Sequence, residues 1–100
     1  MAEVELSPAA RADLAAIDDY SEEQFGREVA DAYAVGFEDA FDVLERHPHA
    51  GHAASKYGKG IRCMFHRKHR IFYTVRGDIV LIVRIVHHAQ HAKRAMKWTP

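Results

Sequence analysis

The feature that most constrains the fold is the apolar run at residues 79–86, whose sequence IVLIVRIV is interrupted only by Arg84. A strand that is apolar on both faces is typical of the interior of a sheet that is covered above and below. RIFYTV at 70–75 reads as a second strand, and Gly77-Asp78 separates the two. Glycine at the first central position fits a type II′ turn, so these strands are predicted to form a tight hairpin.

Two more strands and a loop are predicted elsewhere. VEL at 4–6 alternates apolar with polar residues and indicates a short first strand, and IRCMF at 61–65 indicates another. Residues 47–60 have no hydrophobic period and are rich in Gly, Ala and His, which favours a loop.

Two amphipathic helices are predicted between the first strand and that loop. Ser7-Pro8 supplies an N-cap side chain and a proline suited to the first helical position, so a helix is expected over residues 8–25. Gly26 ends it, and a second helix is expected over residues 27–47. The connection is so short that the helices must form an antiparallel hairpin.

The apolar positions of these helices predict which sides face the sheet. The first helix carries Ala10, Leu14, Ile17 and Tyr20 at helical spacing, and the second carries Val29, Tyr33, Phe37, Ala40, Phe41 and Leu44. Tyr33, Phe37 and Phe41 are predicted to lie in the core.

The predicted fold is therefore α+β, as a single domain over residues 1–100. An N-terminal strand and an antiparallel helical hairpin pack on a mainly antiparallel sheet of three to four strands. The tail at 88–98 is expected to form a short helix that covers the second face of the sheet.

The charges of the chain are divided between its halves. Residues 1–50 hold 13 acidic and three basic side chains, a net charge of −10, whereas residues 51–100 hold 11 basic and one acidic, a net charge of +10. This asymmetry predicts that the basic half meets an anionic macromolecule or an acidic protein segment. The alternative is that the two halves partly neutralise one another within the fold.

Several classes of protein are disfavoured by composition. The single cysteine, Cys63, cannot form an internal disulfide, and no apolar leader opens the chain, which favours the cytoplasm. The longest apolar run is far shorter than the roughly 20 residues of a membrane-spanning helix. We therefore expect no membrane association.

Three blocks of the sequence follow one another in a characteristic order: LSPAA at 6–10, HRIFY at 69–73 and RIVH at 84–87. Together they resemble the ParE branch of the RelE/ParE toxin superfamily, and the likeness covers residues 4–91. The resemblance implies a cytoplasmic toxin of a type II toxin–antitoxin module, neutralised by a ParD-like antitoxin. It also implies inhibition of DNA gyrase, whereas the RelE branch cleaves mRNA on the ribosome.

The alternative function is that of a ribosome-dependent endoribonuclease, which the RelE branch of the superfamily implies. Arg70 matches a phosphate-side arginine of the RelE branch, but the two positions that match its lysine pair are Ile61 and Cys63. Attack by a 2′-OH also needs a proton acceptor and a proton donor. If the chain is a nuclease, the catalytic residues are predicted to be Arg70, His87, His88 and His91. Catalysis is otherwise not expected, and the leading interpretation is a toxin that acts by binding.

The candidate target-binding residues lie in the basic half: Arg62, Arg70, Arg84, His87, His91 and Arg94. With a two-residue turn at 77–78, Arg70 is predicted to lie opposite Ile85, so that Arg70 and His87 share one face of the hairpin and Arg84 lies on the other. For Arg70 and Arg84 the alternative is an ion pair with the acidic helices.

Eight histidines raise the question of a metal site. His87 and His91 would share a helical face, but no cysteine pair or acidic residue lies nearby in sequence to complete a tetrahedral set. Neither a metal nor a cofactor is predicted.

Overall fold

Two helices pack against one face of a five-stranded sheet in the computed structural model, which describes residues 1–88. The elements are β1 (Glu3–Leu6), α1 (Pro8–Phe25), α2 (Arg27–Arg46), β2 (His52–Ala53), a 3-10 turn (Ser55–Tyr57), β3 (Arg62–His66), β4 (His69–Arg76) and β5 (Ile79–His87). The predicted tail helix, together with His91 and Arg94, falls outside the described residues.

The sheet has the order β1-β5-β4-β3-β2, in which β1 runs parallel to β5 and the other pairs are antiparallel. The α+β class and the interior position of β5 confirm the sequence interpretation. The prediction of three to four strands was too low, because β2 within the loop pairs His52 with Cys63. A strand of two residues is too short to leave an alternating pattern in the sequence.

Local chemistry explains the helical hairpin. Ser7 Oγ accepts a hydrogen bond from the Ala10 amide at 3.0 Å, and Pro8 occupies the first turn, so α1 begins where the sequence predicts. Gly26 adopts φ 90° between the helices, a conformation that L side chains rarely adopt. The guanidinium of Arg27 then joins both helices through three exposed carboxylates, those of Asp18, Glu22 and Asp31.

The main apolar core lies between the helices and the sheet. Its buried members are Ala10, Phe37, Leu44, Ile71, Tyr73, Val80, Ile82 and Ile85. Tyr33 and Phe41 pack against it while half-buried, so all three aromatic residues predicted for the core do contribute to it. Tyr20 and Val29 were expected on the same stripes but are 61% and 48% exposed, because they line an open groove.

The other face of the sheet is covered by the loop at 47–60. A second apolar cluster forms there from Ala54, Ile61, Cys63, Phe72, Val83 and Val86, with Tyr57 and Leu81 packed against it. Gly51 allows the close approach of this loop, since a Cβ at that position would lie 2.6 Å from the Cys63 carbonyl oxygen and 2.7 Å from the Tyr73 hydroxyl. The Gly51 amide donates to that hydroxyl at 2.9 Å.

The register of the β4–β5 hairpin corrects one prediction. Gly77 has φ 61°, as a type II′ turn requires, and Thr74 pairs with Leu81 as expected. A β-bulge then shifts the register between Phe72 and Tyr73, because β5 holds one extra residue there. Arg70 consequently pairs with Val86 and not with the predicted Ile85.

Candidate functional site

The predicted site residue Arg84 lies in an internal ion pair. Its Nε and Nη2 donate to the two carboxylate oxygens of Asp13 on α1, at 2.8 and 2.9 Å. Asp13 also accepts the Ile85 amide at 2.9 Å, and the pair is mostly shielded from water. This hydrogen bonding raises the pKa of Arg84 above its ordinary value. The internal pairing considered for this residue is therefore present.

Ser7 completes this corner of the molecule. Its amide donates to the Ile82 carbonyl at 2.9 Å, and its hydroxyl donates to the Val83 carbonyl at 2.7 Å. These contacts lie just beyond the point at which β1 stops pairing with β5. We call Ser7, Asp13, Arg84 and Ile85 the α1–β5 corner, and its polar groups satisfy an edge of β5 that would otherwise be open.

Arg62 and Arg70 lie apart from this corner and from each other. Arg62 Nη2 donates to the carbonyl oxygens of Gly51 and His49, at 2.6 and 3.1 Å, so it fixes the loop at 47–60. Arg70 makes only long contacts, at 3.3 Å to the Tyr57 hydroxyl and 3.5 Å to the His88 carbonyl. Among the described residues, the buried Nε of Arg70 has no hydrogen-bond partner.

The structure contradicts the predicted grouping of Arg70 with His87. His87 pairs across the strands with His69, and their rings lie 5.2 Å apart on the side of the sheet that faces the helices. Arg70 points to the opposite face, towards Tyr57. The physical reason is the bulge, since one extra residue in a strand exchanges the faces of everything beyond it.

A row of imidazoles occupies the open end of the hairpin strands. His66 pairs with His69, and His69 pairs with His87, so that three adjacent strands each contribute one ring. His88 follows with its ring 4.6 Å from that of His87. We call these four residues the histidine row.

Tyr33 on α2 connects the histidine row to the helices. Its hydroxyl lies 2.7 Å from His69 Nδ1, and its ring lies 4.8 Å from that of His66. Gly36, one turn further along α2, makes room for His66, since a Cβ there would be 2.5 Å from the imidazole Nε2. His66 and His69 are therefore packed directly on α2.

Burial and mutual repulsion keep the inner imidazoles uncharged. The pKa of His69 is lowered to about 4, first by burial and then by the neighbouring rings of His87, His66 and His88. Burial also lowers the pKa of His66, assisted by Arg67 and opposed by the Tyr33 backbone and by Asp39. At neutral pH both rings are neutral and act as hydrogen-bonding aromatic groups.

A groove of about 800 Å³ runs beside this row, between the helical hairpin and the sheet. We call it the lateral groove. One wall is apolar and the other is cationic or imidazole-bearing. The apolar wall includes Ile17, Tyr20, Phe25 and Val29, and the other wall includes Arg67, Lys68, His69 and His87, with Tyr33 between them.

The turn at the cationic wall has an unusual backbone. Arg67 has φ 50°, and within residues 1–88 it is the one residue other than glycine with a positive φ. Arg67 and Lys68 are exposed and join β3 to β4. A side chain in this region of backbone space costs on the order of 1 kcal/mol, so the turn holds a charged residue where glycine would be less strained.

Residues 1–88 contain neither a metal-binding cluster nor a membrane-spanning helix. No set of three or more histidine, cysteine or acidic side chains converges closely enough there to hold a metal ion. Neither of the described helices has the length and the apolar character that crossing a bilayer requires.

Sequence reasoning missed the histidine row and the part played by Tyr33. A signal was present in HRKH at 66–69, because a two-residue turn at 67–68 places His66 opposite His69. The position of His87 beside them depends on the bulge, which has no mark in the sequence.

Comparison with known proteins gives a consistent family. Residues 4–92 match the profile of the family described as "ParE toxin of type II toxin-antitoxin system, parDE". Toxin ParE1 of Caulobacter vibrioides is 34% identical over 88 residues, which is 88% of this chain and 91% of that protein. Toxin ParE1 of Mycobacterium tuberculosis is 31% identical over 90 residues, which is 89% of this chain and 92% of that protein.

Solved structures share the fold. A chain of the chromosomal ParDE toxin–antitoxin system from P. aeruginosa superposes with a TM-score of 0.75 at 24% identity, covering 87% of this chain and 96% of that one. A chain of the heterotetrameric YoeB–YefM toxin–antitoxin complex from Staphylococcus aureus gives a TM-score of 0.59 at 17% identity, covering 88% and 98%.

Proposed function

The chain belongs to the ParE toxin family of type II toxin–antitoxin systems, and on that premise we propose that it inhibits growth by binding DNA gyrase and is neutralised by a cognate ParD-like antitoxin. Both partners would meet it in the cytoplasm. The proposed mode of action is recognition of another macromolecule without a chemical step.

The observation that carries this proposal is the burial of Ile61 and Cys63. These positions match the lysine pair of the RelE branch, and they are only 7% and 2% exposed. Both belong to the apolar cluster on the loop-covered face of the sheet. A lysine there would place an ammonium group among Phe72 and Val83, at a large cost in desolvation. This packing supports binding over RNA cleavage.

Arg70 is the candidate contact to gyrase. Its guanidinium lies on the loop-covered face and makes only long hydrogen bonds, and its Nε has no partner among the described residues. A guanidinium with free donors pairs well with a carboxylate in two-point geometry. Arg84 differs, because its guanidinium already donates to both carboxylate oxygens of Asp13.

We place an antitoxin segment in the lateral groove. Tyr20, Phe25 and Val29 are 61%, 63% and 48% exposed along its apolar wall. The opposite wall presents Arg67 and Lys68, which are exposed and positively charged. The occupant that matches both walls is an amphipathic segment with apolar residues on one side and acidic residues on the other.

The proposal is tested by a supercoiling assay with purified gyrase. We expect the wild-type chain to inhibit supercoiling and Arg70→Gln to raise the concentration needed by about tenfold, the loss expected for a central arginine contact. Arg76→Gln removes the same charge from the exposed end of β4 and is the matched control, with an expected change of less than about twofold. Equal inhibition by both variants would exclude Arg70 as a contact, and no inhibition by the wild type would exclude gyrase.

The endoribonuclease alternative has one observation in its favour. Arg70 Nη2 lies 3.5 Å from the His88 carbonyl, so two of the predicted nuclease residues are neighbours. Mapping of mRNA ends in a translating extract separates the two functions. Binding predicts no new ends, whereas cleavage that disappears in Arg70→Gln and in His88→Gln would replace our proposal with the nuclease.

A further inference from the structure

The histidine row joins three strands to α2 through ring packing and a hydrogen bond to Tyr33. His69 lies between the Tyr33 hydroxyl, at 2.7 Å from Nδ1, and the ring of His87, at 5.2 Å between centroids. Phe37 packs on it from the core side, with a centroid distance of 5.8 Å. A second proton on this imidazole would place a positive charge in a half-buried position beside the ring of His87, and both desolvation and repulsion oppose it.

His66 is held still more closely. Its ring lies over Gly36 and beside Phe37, at 4.6 Å between centroids. Its Nε2 is shielded from water and has no hydrogen-bond partner of good geometry among the described residues. Protonation would therefore leave one of the two ring N–H donors without water or an acceptor of good geometry, unless the ring moves away from α2.

The charges around the row oppose protonation on most sides. The turn contributes Arg67, whose charge opposes protonation of His66, and the exposed Lys68, and β5 contributes His87 and His88, which oppose protonation of His69. From α1, Asp13 lines the same groove, but its oxygens are bound to Arg84 and to the Ile85 amide. Asp39 on α2 is the one carboxylate that favours a charge on His66.

We propose that the histidine row is a proton-sensitive latch, which holds the β3–β4 turn on α2 when its rings are neutral and releases the turn as they become protonated. The released turn carries Arg67 and Lys68 away from Tyr33, so one wall of the lateral groove changes shape. The latch is a property of the lone chain, whereas its consequence for the antitoxin rests on the function proposed above.

The direction of the effect follows from proton linkage. The pKa of His69 is about 4 in the closed state, below its ordinary value of 6.5, so the closed state is favoured above pH 6.5 and loses this advantage as the pH falls towards 4. Between pH 7.5 and 5.5 the opening equilibrium should rise between about threefold and tenfold, the lower value allowing for the partial exposure of the ring.

Hydrogen exchange of the full-length lone chain tests the latch. We expect amides of residues 64–72 to exchange faster than those of β5 at both pH values, and their protection to fall between about threefold and tenfold from pH 7.5 to 5.5 after correction for intrinsic rates. His69→Asn keeps an acceptor near Tyr33 but cannot be protonated, so this pH-dependent loss should disappear. His49→Gln alters an exposed loop histidine and should preserve it.

Two outcomes would overturn the latch. One is protection at 64–72 that does not change with pH in the wild type. The other is exchange at 64–72 that matches β5 in rate, because opening would then be global unfolding. If His69→Asn does not fold, His87→Gln serves in its place, with a smaller loss of pH dependence expected because one neighbouring charge is removed. No partner is present in these measurements, so their failure would leave the gyrase and antitoxin proposals standing.

Discussion

The α1–β5 corner and the histidine row both bring polar side chains against β5 but differ in how completely those side chains are paired. In the corner, Asp13 binds Arg84 at two points and also accepts the Ile85 amide, all between 2.8 and 2.9 Å. At the row, the inner rings are half-buried with lowered pKa values, and the adjoining turn holds Arg67 at φ 50°. The residue type alone therefore does not separate a structural arginine or histidine from a functional one. The number and the length of its hydrogen bonds separate them.

The largest expected effect comes from breaking the corner. Asp13→Ala removes the carboxylate that accepts two hydrogen bonds from Arg84 and one from the Ile85 amide, so the free energy of unfolding should fall by about 3 kcal/mol. Urea denaturation of the wild type and the variant measures this change in the free energy of unfolding. Asp19→Ala removes an exposed carboxylate from the same helix and should change the stability by less than about 0.5 kcal/mol. Similar losses in both variants would show that the corner is no better bound than the surface.

A smaller effect is expected at the histidine row. Tyr33→Phe removes one hydroxyl and its 2.7 Å hydrogen bond to His69, which should lower the free energy of unfolding by about 1 kcal/mol. The matched control is Tyr20→Phe, whose ring is 61% exposed and whose hydroxyl removal should cost less than about 0.3 kcal/mol. Thermal unfolding of the three proteins measures the difference. A loss at Tyr33 as large as that of Asp13→Ala would remove the contrast between the two regions.

The smallest effect should have the opposite sign. Arg67→Gly relieves a positive φ at the turn, and this gain exceeds the added freedom of glycine in the unfolded chain, so stability should rise by about 0.5 kcal/mol. Lys68→Gly is the control. Position 68 has no positive φ to relieve, so glycine there only adds freedom to the unfolded chain and should lower the stability. If Arg67→Gly destabilises the protein, the turn is held by the arginine side chain and is not strained.

Local signals were sufficient for most of the fold. Ser7-Pro8 fixes the start of α1 by capping, Gly26 permits the sharp reversal between the helices, and Gly77 sets the last turn. Each of these acts through its own backbone or its immediate neighbours, so each is visible in a short stretch of sequence. The interior position of β5 was predictable for a related reason. A strand that is apolar on both faces is not expected to expose either face to water.

The candidate site was less predictable because tertiary contacts decide it. The bulge in β5 lies where that strand leaves β1 and meets Asp13 of α1, and it moves His87 from the face of Arg70 to the face of His69. The partner of Arg84 is 71 residues away in the sequence. Neither relation has a local pattern, so the prediction that Arg70 and His87 share one face was based on an uninterrupted register that the folded chain does not have.

The parallel pairing of β1 with β5 has a consequence for how the protein is made. The first strand of the chain pairs with β5, the last strand of the described residues, and Ser7 donates to Val83 across 76 residues of sequence. Contacts of such long range form late and slowly in folding. During translation the amino-terminal segment therefore waits, without its neighbour, until nearly all of residues 1–88 have been synthesised, and β1 joins the sheet only after β5 has been made.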